Sequence, residues 1–158
     1  MQQSEPNDFR SASSPAVFRF GGLDREVLEI SVLDYEREPF PGQYQDNNWL
    51  KVDLSISVGN FTGFEKVALL TDELNSLLSA LRKLQETLVG KVDFSTVEGQ
   101  LSLVFTADGR GHISINGEIV DYSHRNKIAF TLEIDQTQLG QSIHQLERAV
   151  AMFPTLIL

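Results

Sequence analysis

Short segments in which apolar and polar residues alternate dominate the chain, and this alternation constrains its fold more than any other feature. It is clearest over residues 49–58, where apolar residues occupy every second position: Leu50, Val52, Leu54, Ile56 and Val58. Because successive side chains of a strand point to opposite faces, the pattern predicts a β-strand with one buried and one solvated face. Seven further segments predict strands, at residues 16–20, 26–33, 63–70, 91–95, 101–106, 113–119 and 127–134.

Two other stretches carry apolar residues at steps of three and four, which predicts amphipathic helices. The first is expected to begin with Thr71 as its N-terminal cap and to stop at Gly90. The second is expected to begin at Asp135, where Gln138 three residues later completes a capping box, and to end at Pro154.

The predicted elements follow one another as four strands, one helix, four strands and one helix. This order predicts an α+β domain over residues 16–158, in which an antiparallel β-sheet of about eight strands forms one or two layers and both helices pack on it. Residues 1–15 are polar and carry few apolar anchors, which predicts a disordered tail.

Composition narrows the classes of function. The absence of cysteine excludes disulfide scaffolds, Cys-ligated zinc and thiol nucleophiles. The net charge of -9, from 13 basic and 22 acidic residues, opposes binding to nucleic-acid phosphates. No stretch is apolar for long enough to span a membrane, and the first 15 residues do not have the form of a signal peptide. We therefore expect a cytoplasmic protein that binds neither nucleic acid nor membrane.

Motifs of catalytic or metal-binding type do not occur. The three histidines, His112, His124 and His144, are not spaced as metal ligands, and no serine stands in a nucleophile-elbow motif. Gly109 and Gly111 could belong to a phosphate-binding loop, but their position between two predicted strands favours a tight hairpin. The sequence therefore predicts no catalytic residue, no metal site and no cofactor.

The segment at residues 34–49 is the most unusual part of the chain. It forms a predicted loop of about 15 residues that is rich in acidic and aromatic residues, and long loops in compact domains are often functional. Aromatic side chains offer contact area to a partner, and carboxylates steer a basic one. The residues predicted to bind a partner are Tyr35, Glu36, Glu38, Tyr44 and Asp46. The other interpretation of the segment is a solvated loop that Trp49 anchors to the core.

Several stretches resemble the WapI-like family of immunity proteins. They are Asp46-Asn47-Asn48-Trp49-Leu50, Phe61-Thr62-Gly63-Phe64, Val97-Glu98-Gly99-Gln100-Leu101-Ser102-Leu103, Asp108-Gly109-Arg110-Gly111-His112-Ile113 and Leu132-Glu133-Ile134-Asp135-Gln136-Thr137. The resemblance extends over residues 46–153, and Gly140 stands where that family would have a proline. It implies a small bacterial cytoplasmic protein that binds the toxic C-terminal domain of a contact-dependent toxin of the WapA type. The shared Asp-Gly-Arg-Gly-His and Asp-Gln-Thr residues are interpreted as turn and cap residues rather than as a toxin-binding site.

These observations lead to a non-enzymatic immunity-type protein that neutralises a toxin domain by direct contact. The toxin domain is expected to be basic, because a nuclease must hold an acidic substrate. Formation of a homo-oligomer is left open. The alternative is a small-ligand-binding module with an apolar cavity between sheet and helices, suggested by apolar residues on both faces of 26–33 and 63–70. An enzyme that uses dispersed carboxylates is a third hypothesis.

Overall fold

The computed structural model describes residues 14–21 and 25–158, so most of the predicted tail at residues 1–15 lies outside the described residues. Eight strands and three helices follow one another along these described residues. The first half contains β1 (Ala16–Gly21), β2 (Val27–Tyr35), α1 (Tyr44–Asn47), β3 (Trp49–Val58), β4 (Phe61–Leu70) and α2 (Thr71–Thr87). The second half contains β5 (Val89–Ser95), β6 (Leu101–Asp108), β7 (His112–Val120), β8 (Lys127–Asp135) and α3 (Gln136–Met152).

The strands form two antiparallel sheets of four strands each, in the orders β1-β2-β3-β4 and β5-β6-β7-β8. Each sheet is a simple meander that ends in a long helix, so the predicted α+β class and the order of four strands, a helix, four strands and a helix are confirmed. The short helix α1, inside the segment predicted as a loop, is the one element of the described chain that the sequence pattern did not predict.

One apolar core joins the two sheets and the two long helices. Phe20 of β1 lies at its centre, with ring centroids 5.9 Å from Phe18 and 5.2 Å from Phe105 of the second sheet, both in edge-to-face geometry. Edge-to-face pairs stabilise beyond the burial of their area, by about 0.5–1.5 kcal/mol each. The alternation predicted for residues 49–58 is confirmed, since Leu50, Leu54 and Ile56 are at most 1% exposed.

The ends of the helices confirm one predicted cap and correct another. The Asp135 side chain accepts the Gln138 N–H at 2.7 Å, and the Gln138 side chain accepts the Asp135 N–H at 2.9 Å, so the capping box is confirmed. Thr71, in contrast, is not the N-terminal cap of α2. Thr71 lies inside the helix and is buried. The start of the helix is capped instead by Glu73, whose side chain accepts the Leu70 N–H at 2.7 Å.

The ends of both helices also come earlier than the sequence predicts. Helix α2 ends at Thr87, because Leu88 takes a left-handed conformation with φ of 54°, and Gly90 already belongs to β5. Helix α3 ends at Met152, two residues before Pro154. In the described ranges no helix is both long and apolar enough to cross a membrane.

The predicted hairpin between β6 and β7 is confirmed. Asp108 Oδ1 accepts the N–H of Arg110 at 2.7 Å and of His112 at 3.1 Å, and Gly109 and Gly111 have φ of +82° and +91°. These backbone hydrogen bonds favour the ionised carboxylate and therefore lower the pKa of Asp108. The glycine motif thus forms a turn between two strands, as the sequence interpretation states.

Candidate functional site

A groove of about 630 Å³ lies beside the first sheet and is the main candidate for a functional site. The segment between β2 and β3 forms one wall, with Glu36, Arg37 and Asp46. The floor comes from the outward-facing residues of β3 and β4. Glu98 and Tyr122, from turns of the second sheet, form the opposite wall. The groove therefore collects side chains from both halves of the chain.

Two buried asparagines hold the first wall in place. Asn47 Oδ1 accepts the Phe40 N–H at 2.8 Å, and Asn47 Nδ2 donates to the Phe40 carbonyl at 2.7 Å. Asn48 is 2% exposed, and its Nδ2 donates to the Tyr44 carbonyl at 2.7 Å. Because each amide pairs with backbone groups, the segment keeps a defined conformation although most of its residues are exposed.

The last residues of the chain close over the same wall. Asn48 Oδ1 accepts the Leu156 N–H at 2.7 Å, and Asn48 Nδ2 donates to the Leu156 carbonyl at 3.0 Å. The Tyr35 hydroxyl donates to the Pro154 carbonyl at 2.6 Å, and its ring lies 5.6 Å from that of Phe153. Partial burial raises the pKa of Tyr35, with a smaller contribution from Asp34.

The charges in the groove are only partly paired. Arg37 lies 3.5 Å from Asp46, and this exposed ion pair contributes little to stability. Glu36 and Glu98 form no ion pair with any residue in the described part of the chain. Lys51 and Lys66 also line the groove, and within the described residues they form no ion pair either. Two carboxylates therefore remain available to a cationic partner.

Glu98 is positioned from helix α2. One oxygen of the Glu73 carboxylate accepts the Leu70 N–H at 2.7 Å, and the other accepts the Val97 N–H at 2.6 Å. The buried Gln100 side chain donates to the Val120 carbonyl at 3.2 Å and joins this turn to the end of β7. Because the turn is fixed at both ends, Glu98 has a defined place on the wall.

Tyr122 stands on a turn that Asp121 organises. Asp121 Oδ1 accepts the Ser123 hydroxyl at 2.8 Å, and Oδ2 accepts the Asn126 amide at 2.8 Å. Backbone N–H groups of Arg125 and Asn126 add longer hydrogen bonds. The turn presents the Tyr122 ring to solvent with 85% of its surface exposed, beside the groove.

The Asp121 turn should open in acid. The hydrogen bonds from Asn126 and Ser123 lower the pKa of Asp121 from 3.8 to about 2, because they favour the ionised carboxylate. The stabilisation from this lowered pKa is therefore present above pH 3.8 and is lost as the pH falls towards 2. A carbon-detected NMR titration of the Asp121 carboxyl should give a midpoint near 2. In the double variant Ser123→Ala/Asn126→Ala the midpoint should rise towards 3.8; equal midpoints in both proteins would contradict this origin of the shift.

The five residues predicted to bind a partner have different places in the structure. Glu36 and Asp46 line the groove. Tyr35 is half-buried and fastens the segment to the chain's last residues. The Tyr44 hydroxyl lies 3.4 Å from both Asp72 oxygens, and partial desolvation together with the Asp72 carboxylate raises the pKa of Tyr44. Glu38 is exposed. Their role in binding remains a prediction.

Other residues of the groove were missed by the sequence reasoning. Trp49 was interpreted as an anchor inside the core, but it is half-buried and lines the groove. Glu98 and Tyr122 lie about 50 and 75 residues away from the acidic segment, and no local pattern connects them with it. Their exposed positions in turns were the available signal.

The apolar residues of 26–33 and 63–70, which suggested a ligand cavity, lie either in the common core or at the surface. Leu28, Ile30 and Val32 are at most 1% exposed and pack in the common core. On the opposite face of the same strands, Leu33 lines the groove and Phe64 is 62% exposed. The second apolar face thus lies at the surface rather than around an internal cavity.

The histidines do not gather with other potential ligands in the described residues, where no group of three or more His, Asp or Glu side chains could hold a metal ion. His112 Nε2 contacts the Glu133 carboxylate, which also accepts the Ser114 hydroxyl at 2.8 Å. The three side chains lie on the exposed face of β7 and β8.

Comparison with known families decides which family the chain represents. The sequence model described as "Immunity protein WapI-like family" matches residues 19–154. The chain belongs to this family. The resemblance inferred from the motifs is thereby confirmed, and the WapI-like match extends further towards the N-terminus, into β1. Among curated proteins no sequence matches this chain.

Within the WapI-like chain, the residues that carried the resemblance have structural roles. Asn47 and Asn48 hold the wall of the groove, Asp108 organises a hairpin, and Asp135 caps α3. The interpretation of the Asp-Gly-Arg-Gly-His and Asp-Gln-Thr residues as turn and cap residues is confirmed.

Three solved structures share the fold of this WapI-like chain. One, a guide-RNA-binding protein complex bound to a guide RNA, has 14% identity and a TM-score of 0.52 over 90% of this chain and 94% of that one. Trypanosoma brucei MRP1/MRP2 has 14% identity and a TM-score of 0.51 over 90% and 88%. The plant transcriptional regulator PBF-2 has 11% identity and a TM-score of 0.52 over 90% and 82%. At such identities the likeness concerns the fold alone.

Proposed function

We propose that this chain neutralises a toxin by binding the toxin's C-terminal domain directly, without catalysis. Membership of the WapI-like immunity family supports a protective role. We choose the groove as the contact surface because of its side chains. Glu36 and Glu98 lack ion-pair partners within the described residues, and Trp49 and Tyr122 offer aromatic surface to a partner. Aromatic residues are enriched in protein interfaces, and charged residues around them steer the partner and set specificity.

The proposed partner is a basic domain, and the proposed place of the encounter is the cytoplasm. The chain has a net charge of -9, which attracts a basic protein and accelerates its association. A toxin domain that cleaves nucleic acid needs a basic cleft to hold its substrate, and an acidic protein seated there would exclude that substrate.

Nucleic acid is a less suitable partner for this chain than for its neighbours in fold. Those neighbours include a guide-RNA-binding protein complex bound to a guide RNA and a plant transcriptional regulator. A chain with 13 basic and 22 acidic residues repels phosphates overall, and phosphate contacts supply most non-specific affinity for nucleic acid. We therefore retain the prediction that the chain binds protein and not nucleic acid.

Reversing the two unpaired charges should slow association. In the variant Glu36→Lys/Glu98→Lys, the association rate with the C-terminal domain of the WapA-type toxin from the source genome should fall about tenfold at low salt, because steering depends on local charge. The difference should shrink near 1 M salt, where the Debye length is about 3 Å. Stopped-flow or biolayer measurements over a salt series provide the rates, and growth rescue of cells that express the toxin domain provides the biological result.

The matched control changes the net charge by the same amount but at positions outside the groove. Glu86 on α2 and Asp93 on β5 are exposed and do not line the groove, so Glu86→Lys/Asp93→Lys should slow association much less. Equal rates for the two double variants at low salt would reject the groove as the contact surface. A wild-type chain that neither binds nor neutralises the toxin domain would reject the proposed function itself.

A further inference from the structure

The four edge strands of the two sheets are not equally protected. At β1, helix α3 covers the edge, because Gln145 accepts the Arg19 N–H at 2.8 Å and Ser142 donates to the Arg19 carbonyl. Strand β8 lies against β1 and β3 of the first sheet. The edge of β5 carries the charged residues Lys91 and Asp93, which discourage pairing with another strand.

The fourth edge, at β4, is long and open. The Thr71 N–H donates to the Asn48 carbonyl at 3.0 Å on the β3 side, whereas the N–H groups of Leu70 and Lys66 are accepted by glutamate side chains. Backbone N–H and C=O groups alternate in direction along a strand. Because the Thr71 N–H faces β3, the N–H and C=O groups of the even-numbered residues of β4 point away from β3. Thr62, Phe64 and Ala68 thus direct N–H groups outward, and no side chain in the described ranges accepts them.

The start of this edge is apolar. Phe64 is 62% exposed and lines a pocket of about 250 Å³ that opens between β4 and the first residues of β8. Ile56, Ile119 and Ile128 form much of its wall. Lys127 at its rim lies 3.7 Å from Glu118, which partly offsets its charge. The pocket is large enough for one apolar side chain of a neighbouring strand.

The far end of the same edge carries charges of both signs, because four acidic and three basic residues line the groove there. Lys66 and Ala68 of β4 line the groove described above, in which Glu98 forms no ion pair within the described part of the chain. Phe64 at the apolar pocket is two to four residues from Lys66 and Ala68 at the groove, or about 7–14 Å along the strand. A strand beside β4 would therefore meet an apolar site first and the Glu98 carboxylate shortly after.

We propose that the open edge of β4 binds an extended segment of the toxin domain, which adds to the first sheet as a fifth strand. Backbone hydrogen bonds to Thr62, Phe64 and Ala68 supply this mode of recognition, and the two sites supply its specificity. The segment carries an apolar side chain and, two to four residues away, a lysine or arginine that reaches Glu98. This inference rests on the proposed function and names the part of the toxin domain that is recognised.

A single extended segment suits the edge better than a second copy of the chain. Residues of the second sheet, among them Tyr122 and Asn126, stand beside β4 and leave a cleft rather than a flat edge. A segment that is free on its outer side can enter such a cleft. Strand β4 of a second copy would be attached to its own β3 and to its own second sheet. The turns that form the cleft walls of the two copies would then collide.

The test removes one outward N–H without disturbing the pairing with β3. The variant Thr62→Pro replaces an outward donor by a proline ring, which edge strands tolerate. The matched control is Ser95→Pro on β5. The Thr96 N–H donates to the Leu101 carbonyl, so the neighbouring Ser95 N–H points away from β6, at an edge that lacks the apolar pocket. Both variants and the wild type are mixed with the purified C-terminal domain of the WapA-type toxin, and thermal melts confirm that all three are folded.

We expect Thr62→Pro to weaken the complex about tenfold or more and Ser95→Pro to leave its Kd unchanged. Hydrogen exchange resolved by NMR should find the amides of Thr62, Phe64 and Ala68 protected in the wild-type complex. A complex that forms equally with both variants and leaves these amides unprotected overturns the inference while the proposed function stands. Protection of the β4 amides in the chain alone, together with a dimer in sedimentation equilibrium, overturns it in favour of a second copy. Absence of any wild-type complex removes both proposals.

Discussion

Replacing Gly117 by alanine should lower the free energy of unfolding by about 1–3 kcal/mol, the usual cost of overpacking a core. Gly117 of β7 lies in register between Leu103 of β6 and Phe130 of β8, on the buried face of the second sheet. A methyl group there would lie 2.3 Å from Cζ of Phe130 and 3.0 Å from Cδ2 of Leu103. The Phe130 ring occupies the space that the missing side chain leaves, so one of the two must move. Urea denaturation gives the change directly.

The same substitution at Gly140 should have the opposite sign, which makes it a sharp control. Gly140 lies inside α3, where alanine is favoured over glycine by about 1 kcal/mol. A methyl group there would meet only the end of the Gln85 side chain, at 3.1 Å, and this exposed side chain can turn away. Shortening the ring in Gly117→Ala/Phe130→Leu should recover part of the loss. If Gly117→Ala and Gly140→Ala unfold at the same urea concentration, the packing argument is wrong.

Local patterns predicted the fold well because local physics sets most of it. Alternation over residues 49–58 and the cap at Asp135 each depend on neighbours within a few residues, and both are confirmed. Thr71 was misassigned because Glu73 competes for the start of α2 and because Thr155, 84 residues away, hydrogen-bonds the Thr71 hydroxyl. Interactions between distant segments of this kind leave no mark in a short window of sequence.

The candidate site was predicted only in part, for the same reason. The acidic segment was found from its composition, and Glu36 and Asp46 of that segment line the groove. Glu98 and Tyr122 come from turns of the second sheet, so their meeting with the acidic segment depends on how the two sheets pack. Tyr35 was predicted to bind a partner because it is aromatic. Its hydroxyl donates to the Pro154 carbonyl, and its role in binding stays a prediction.

The motif Asp46-Asn47-Asn48-Trp49 illustrates how residues that identify a family need not touch its partner. Its two asparagines are buried and pair with backbone groups, whereas its first and last residues line the groove. The buried amides fix the backbone, whereas the exposed side chains beside them contribute little to that fixed conformation.

Replacing Asn48 by alanine should test this division and should lower the free energy of unfolding by about 3 kcal/mol. The substitution removes three hydrogen bonds, to the Tyr44 carbonyl, the Leu156 carbonyl and the Leu156 N–H, and each contributes about 0.5–1.5 kcal/mol. Because the same side chain joins α1 to the chain's last residues, Glu36 and Asp46 should lose their fixed positions. Binding to the toxin domain should weaken even at temperatures where the variant is fully folded.

The matched control is Asn75→Ala. Asn75 also contacts the chain's last residues, through one exposed hydrogen bond of 3.2 Å to the Thr155 hydroxyl, and its loss should cost about 1 kcal/mol or less. Urea denaturation gives both stabilities, and the affinity for the toxin domain is then measured well below both thermal midpoints. A destabilised Asn48→Ala that binds as tightly as Asn75→Ala would mean that the wall of the groove supports the fold but does not meet the toxin. If only Asn48→Ala binds more weakly, the buried asparagine contributes to recognition by holding Glu36 and Asp46 in position.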